Sequence, residues 1–204
     1  MRIVQITSLA LLPEAELVAR LERLRALPPE LRRHGMVQLR DPELPARELL
    51  RLGRRLRELT AAVGMGLVIN DRLDLARLLS ADGVHLGRRS TDVSHAREFL
   101  PEGLWVSLSC HSPEEVVQAE ERGADAALLS PIFATPGKGT PLGTAAIREA
   151  RKLVTRRGGN IEILALGGVT TENARECLVA GADGVAGIRA ELWGVAAGGR
   201  EPIP

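Results

Sequence analysis

Tyrosine is absent from this chain, and two Phe with two Trp bring its aromatic content to only 2%. Binders of single-stranded nucleic acid stack successive bases on aromatic platforms, so that mode of recognition is excluded. A dominant charge is lacking as well, with 27 Lys and Arg against 26 Asp and Glu and a net charge of +1. No global field therefore points to nucleic acid or to a membrane surface. Cysteine occurs only as Cys110 and Cys177, without CxxC spacing. That excludes a disulfide framework and fits unpaired thiols in a reducing cytoplasm. No apolar run is long enough to cross a bilayer. Met1-Arg2-Ile3-Val4-Gln5-Ile6-Thr7 enters a strand pattern directly and lacks the apolar core of a signal peptide. The expectation is a cytoplasmic protein.

What is present is ordinary globular material: 204 residues, 45% apolar and 26% charged, read as one domain over 1–204. Strand-like runs alternate with helix-like runs. The strands are expected at Ile3–Thr7, Met36–Arg40, Gly66–Asn70, Gly83–Leu86, Trp105–Ser109, Ala126–Ser130, Glu162–Leu166 and Gly184–Ile188. Leu49, Leu52, Leu56, Leu59 and Val63 recur at helical spacing, as do Leu17, Leu21 and Leu24. Ser112-Pro113 reads as an N-cap and first turn. Arg51, Arg54, Arg55 and Arg57 fall between leucines and read as a solvated helix face. Repeated βα units imply a parallel sheet with helices outside it. An open doubly wound sheet would usually place a glycine-rich loop after its first strand, but Thr7-Ser8-Leu9-Ala10 has no glycine. The fold expected is an α/β (β/α)8 barrel with a short C-terminal helix after Ile188. Asp82, Asp125 and Asp183 each precede a strand and read as turn residues on the face opposite the site.

In such a barrel, function sits just after the strands. Gly167-Gly168 and Gly187-Ile188 follow the seventh and eighth strands, where backbone N–H groups and a helix N-terminus suit a phosphate. Gly168→Val is expected to block that approach without harming the fold. Gln38 and Arg40 share one strand face, so Arg40 meets either a ligand anion or a carboxylate such as Asp71. Asn70 and Asp71 fit ligand or metal contacts, or a helix cap. His85, alone in an apolar strand, reads as a structural residue with a satisfied hydrogen bond. Ser109 and His111 can point the same way, yet the spacing assembles no nucleophile–base–acid triad. The loop holding Thr135 and Lys138 either closes on phosphate or leaves Lys138 in solvent.

Several segments, in order, resemble the thiamin phosphate synthase and thiazole tautomerase (TenI) family. They are Val37-Gln38-Leu39-Arg40, Ile69-Asn70-Asp71-Arg72, Gly83-Val84-His85-Leu86-Gly87, Ser109-Cys110-His111-Ser112, Ser130-Pro131-Ile132-Phe133 with Lys138, Leu166-Gly167-Gly168 and Gly181-Ala182-Asp183-Gly184. The resemblance implies that a pyrimidine pyrophosphate is ionised and its cation captured by the nitrogen of a thiazole phosphate. It places Gln38, Arg40, Asn70, Thr135 and Lys138 around pyrophosphate and Asp71 on Mg2+. Ser109 would lie by the pyrimidine, and Gly168 and Gly187 by the thiazole phosphate. The chain departs from the synthase pattern at Pro42, where Lys is usual, at Ser90, where a second magnesium Asp is usual, and at Gly137, where a hydroxyl is usual. It has Pro131 where tautomerases carry an acid–base His. The departures put a tautomerase-type relative first, with His111 or His85 as base and Mg2+ in doubt. A full synthase and a non-catalytic phosphometabolite-binding regulator stand beside it. The partners expected are the phosphorylated thiazole and the pyrimidine pyrophosphate, with self-association left open.

Overall fold

The computed structural model describes residues 1–193. Eight parallel strands close into a barrel in sequence order: β1 (Arg2–Ile6), β2 (Gly35–Leu39), β3 (Gly66–Asn70), β4 (Gly83–Leu86), β5 (Trp105–Cys110), β6 (Ala126–Leu129), β7 (Glu162–Ala165) and β8 (Gly184–Gly187). β8 returns to β1 through Val4↔Ala186 and Gln5↔Gly187, so the sheet has no free edge. All eight expected strands form. The first two start and end one residue early, the fifth reaches Cys110, and the sixth, seventh and eighth stop one residue short. The path is unchanged, because Thr7, Ser130 and Leu166 still donate N–H groups to Gln38, Cys110 and Leu129 just beyond the ladders.

The helices are α1 (Glu14–Arg23), α2 (Pro29–Arg32), α3 (Ala46–Val63), α4 (Leu73–Leu78), α5 (Val93–Phe99), α6 (Pro113–Glu121), α7 (Gly143–Arg156) and α8 (Ala174–Val179). α3 buries Leu52, Leu56, Leu59 and Val63 at helical spacing and stops at Gly64. Its Arg51, Arg54 and Arg55 are exposed, with Arg51 bonded to Glu14 and Glu48, while Arg57 is half-buried against Asp82, so the solvated face holds for three of the four arginines. The Ser112 hydroxyl accepts the Glu115 N–H at 3.2 Å and caps α6. Leu24 leaves the α1 pattern and enters a 3-10 turn over Leu24–Ala26. The short α2 holds barely one turn, too little for periodicity to reveal.

Alternation along the strands builds two cores. Val37, Leu39, Leu67, Ile69, Val106 and Ile163 pack under the helices. Val4, Ile6, Met36, Val68, Leu128, Leu164 and Ala186 fill the barrel axis. Each Val, Leu, Ile or Met among them, fully buried, contributes about 1.5–3 kcal/mol. At the amino end, Arg2 pairs with Glu162 at 2.6 Å and lies 5.4 Å over the Trp105 ring, closing the floor.

The three turn aspartates repeat one device at that floor. Asp82 accepts the Leu67 N–H at 2.7 Å and pairs with Arg57 of α3. Asp125 accepts the Val106 N–H at 2.7 Å and pairs with Arg97 of α5. Asp183 accepts the Ile163 N–H at 2.8 Å and pairs with Arg151 of α7. Each carboxylate thus ties an odd-numbered strand to the helix before it and the strand after it. The expected short C-terminal helix falls within 194–204, outside the described residues. Before it, Leu192 and Trp193 are buried.

Candidate functional site

At the carboxyl ends of the strands lies a cavity of about 1050 Å3, walled by residues at or just after all eight strand ends, with Ile6 and Leu11 contributed from β1 and its loop. Gln38, Arg40, Asn70, Asp71, Ser109, His111, Thr135, Lys138, Gly167, Gly168, Gly187 and Ile188 all line it. The loops also bring in Arg88 and Arg89, which the sequence offers as compensation for the departures, and Glu172 and Arg189, which the sequence reading had not placed. Arg88 and Arg89 follow the β4 glycine, and Arg189 follows Ile188, so adjacency to a strand end was the signal available.

Arg40 aims its charge at the mouth because its backbone is held elsewhere. Its N–H donates to the Thr7 hydroxyl at 2.8 Å, and Thr7 in turn donates to Asp41. Asp41 also accepts the Leu9 N–H at 2.6 Å. The buried carboxylate beside Arg40 is therefore Asp41, locking backbone. No ion pair joins Arg40 to Asp71 among the described residues. Local patterning did not reveal the Thr7–Asp41 pair, which needs the register of β1 against β2.

Asp71 has φ 59°, an uncommon backbone conformation for an L residue, and the following α4 has no side-chain cap, so neither Asn70 nor Asp71 serves as one. Asn70 donates to Asp71 Oδ2 at 2.7 Å, and Gln38 donates to Asn70 Oδ1 at 2.9 Å. A carboxylate can only accept, so it sets the amide of Asn70 and through it that of Gln38. Asp71 Oδ1 accepts the Ser90 hydroxyl and the Gly87 N–H at 3.2 Å. No three His, Cys, Asp or Glu side chains gather as a metal site among the described residues. A carboxylate has about four lone-pair sites, and Mg2+ commonly sits on one or two carboxylates plus substrate phosphates. Asp71 thus fits a cation delivered with a diphosphate, though not a stand-alone metal site. Asp92, at the start of α5, is not among the cavity residues.

His85 is buried, with Nδ1 2.9 Å from Ser107 Oγ and Nε2 2.9 Å from Ser109 Oγ. Burial pushes its pKa down to about 4, with Asp71 opposing and Arg40 adding to the shift. It is neutral near pH 7. His111 is exposed in the cavity, and its Nδ1 lies 2.8 Å from the Ser130 carbonyl. A carbonyl only accepts, so a neutral His111 carries its proton on Nδ1 and leaves Nε2 as the basic nitrogen. Burial, with Glu115 adding, raises the Cys110 thiol to about 12, so it stays protonated.

Gly167 and Gly168 have φ of 92° and 64°. A Cβ on Gly168 would lie 2.7 Å from the Ala134 carbonyl oxygen. The glycines are therefore required by the neighbouring loop as well as suited to a ligand, and Gly168→Val would not leave the local fold intact. The N–H groups of Gly168 and Ile188 have no acceptor among the described residues. The helix that follows starts only at Ala174 and spans six residues, because Asn173 closes the intervening turn on Thr170 N–H and the Gly168 carbonyl. The N–H groups left without acceptors at this face therefore belong to loops rather than to a helix N-terminus. Lys138 is exposed, and the Thr135 hydroxyl donates to the Phe133 carbonyl at 3.0 Å.

Fold and cavity define a (β/α)8 barrel whose carboxyl face is a cation-rich ligand chamber. A family model described as thiamine monophosphate synthase (TMP-TENI) matches residues 6–190. The chain belongs to that family. It is 42% identical over 158 residues to a thiamine-phosphate synthase of Methanoculleus marisnigri, covering 76% of this chain and 72% of the relative. It is 41% identical over 159 residues to one of Moorella thermoacetica, covering 76% and 73%. The structure of a thiamine phosphate pyrophosphorylase from Pyrococcus furiosus superposes with a TM-score of 0.79 at 28% identity, covering 98% of this chain and 97% of that one. The resemblance in the sequence motifs is thus supported along the chain. No described helix is long and apolar enough to cross a membrane.

Proposed function

We propose that this protein is a thiamin phosphate synthase that joins hydroxymethylpyrimidine pyrophosphate to a thiazole phosphate in the cytoplasm. The observation that carries the reading is the charge of the chamber. Arg40, Arg88, Arg89, Lys138 and Arg189 face it, against the carboxylates Asp71 and Glu172. None of the five cations forms an ion pair among the described residues, so their charge is left for a ligand. Unpaired cations gathered in one cavity are matched to anions. They also lie on two arcs, with Arg40, Arg88 and Arg89 after β2 and β4, and Lys138 and Arg189 after β6 and β8. One phosphate needs one arc, while two phosphorylated reactants need both.

In this reading the pyrimidine methylene–oxygen bond breaks, pyrophosphate leaves with the bonding electrons, and the thiazole nitrogen forms the new carbon–nitrogen bond. Cations fixed before the bond breaks stabilise the developing charge without reorganisation. Arg88 and Arg89 supply positive charge in place of the Lys that Pro42 replaces and of cation binding that Ser90 weakens. Mg2+, when bound, neutralises the diphosphate, and Asp71 is the residue that would hold it. The test is to mix both substrates with and without Mg2+ and follow thiamin phosphate and pyrophosphate release. Turnover supports the synthase. Binding of thiazole phosphate with no product overturns it.

One observation favours a second reading, the tautomerase-type relative. His111 offers a bare Nε2 to the chamber, a base for moving a ring proton. Isomerisation of a thiazole phosphate that is lost in His111→Phe would support that reading. Binding without either reaction would identify a phosphometabolite-binding regulator.

A further inference from the structure

β4 and β5 carry a hydrogen-bond relay that this reading leaves unused. Ser107 is wholly buried, and its hydroxyl lies 2.9 Å from His85 Nδ1 and 3.4 Å from the Val84 carbonyl oxygen. His85 Nε2 lies 2.9 Å from Ser109 Oγ, and Ser109 lines the chamber. For the neutral imidazole that burial imposes, only one arrangement of protons uses all three contacts. With the proton on Nδ1, His85 donates to Ser107, Ser107 donates to the Val84 carbonyl, and the bare Nε2 accepts from Ser109. With the proton on Nε2, Ser107 must donate to Nδ1, and the Val84 contact is lost. Three hydrogen bonds stand against two, and buried polar groups take the arrangement that satisfies them.

We propose that Ser107 and His85 are positioning residues that fix the polarity of Ser109, whose hydroxyl donates inward to His85 and presents only lone pairs to the chamber. The wall at Ser109 is then an acceptor, and its ligand brings an N–H donor to that point. A pyrimidine with an exocyclic amine satisfies it, whereas a ring carbonyl there sets lone pairs against lone pairs. The relay stands on these contacts and the burial of a neutral His85, and only the identity of the ligand rests on the synthase reading.

Two measurements on the full protein test this. Nitrogen NMR of 15N-histidine-labelled, ligand-free protein should show His85 protonated at Nδ1 and bare at Nε2, and Ser107→Ala should shift it toward the other tautomer. Calorimetry should then compare a 4-aminopyrimidine pyrophosphate with its 4-oxo analogue. The wild type should prefer the amine by about tenfold, the value of one hydrogen bond. Ser107→Ala, which does not line the chamber, should lose that preference. If Ser107→Ala folds poorly, the near-isosteric Ser107→Cys gives the same readout. An Nε2-protonated His85 in the wild type overturns the relay whatever the substrate. The Nδ1 tautomer with equal affinity for the two pyrimidines overturns the ligand preference. Binding of neither pyrimidine overturns the ligand assignment together with the synthase reading, while the NMR result still decides the relay.

Discussion

His85 and Arg40 show how a single side chain couples to the whole at opposite signs of cost. The His85 pKa falls from 6.5 to about 4, chiefly by burial. Between those values the unfolded chain binds a proton that the native state refuses. Stability is therefore full above pH 6.5 and is lost as the pH falls toward 4, by up to about 3 kcal/mol. Thermal melts from pH 4 to 8 should show this slope, and His85→Gln should flatten it; an unchanged slope would place the effect on another group. Arg40 should behave in the opposite way, since its guanidinium has no ion-pair partner among the described residues. Arg40→Met should weaken binding of inorganic pyrophosphate about 10- to 100-fold, the worth of a charge-assisted hydrogen bond. Its melting temperature should hardly move. That His85 would be a satisfied structural residue was legible from its apolar strand. Its serine partners were not, because Ser107 and Ser109 reach it across a strand pair whose register no local pattern encodes.

Among the elements, the turn aspartates and the paired glycines have different jobs. Asp125→Ala removes the acceptor for the Val106 N–H and the partner of Arg97. It should cost about 1.5–3 kcal/mol and lower the melting temperature while leaving pyrophosphate affinity alone. Gly168→Ala should do both kinds of harm. Its φ of 64° costs about 1–2 kcal/mol for a residue with a Cβ, and the new atom presses on the loop carrying Thr135. A fall in stability with unchanged ligand affinity would separate that loop from the site. The strands and long helices were readable because alternation and helical spacing persist over whole elements. The one-turn α2 was not, since four residues do not sample the period, whereas the six-residue α8 was legible from the strands and glycines on either side of it.

Over the whole molecule, the excess of positive charge in the chamber predicts a strong salt response. Screening length falls from about 10 Å at 0.1 M to 3 Å at 1 M. Pyrophosphate affinity should drop steeply over that range, and the affinity for an uncharged thiazole alcohol should not. Equal salt responses would remove the electrostatic account of the chamber. The net charge of +1 gave no hint of it, because the compensating carboxylates are spent on the outer arginines. The cations also have an order that composition hides. Arg40, Arg88 with Arg89, Lys138 and Arg189 follow β2, β4, β6 and β8, whereas Asp82, Asp125 and Asp183 clamp β3 to β4, β5 to β6 and β7 to β8. The cavity cations follow the seams between clamped pairs. Clamps and cations thus occupy alternate junctions of one ring, at opposite ends of it. Arg40→Met and Asp125→Ala should then combine additively to within about 0.5 kcal/mol, and either end of the molecule is free to drift in sequence without asking leave of the other.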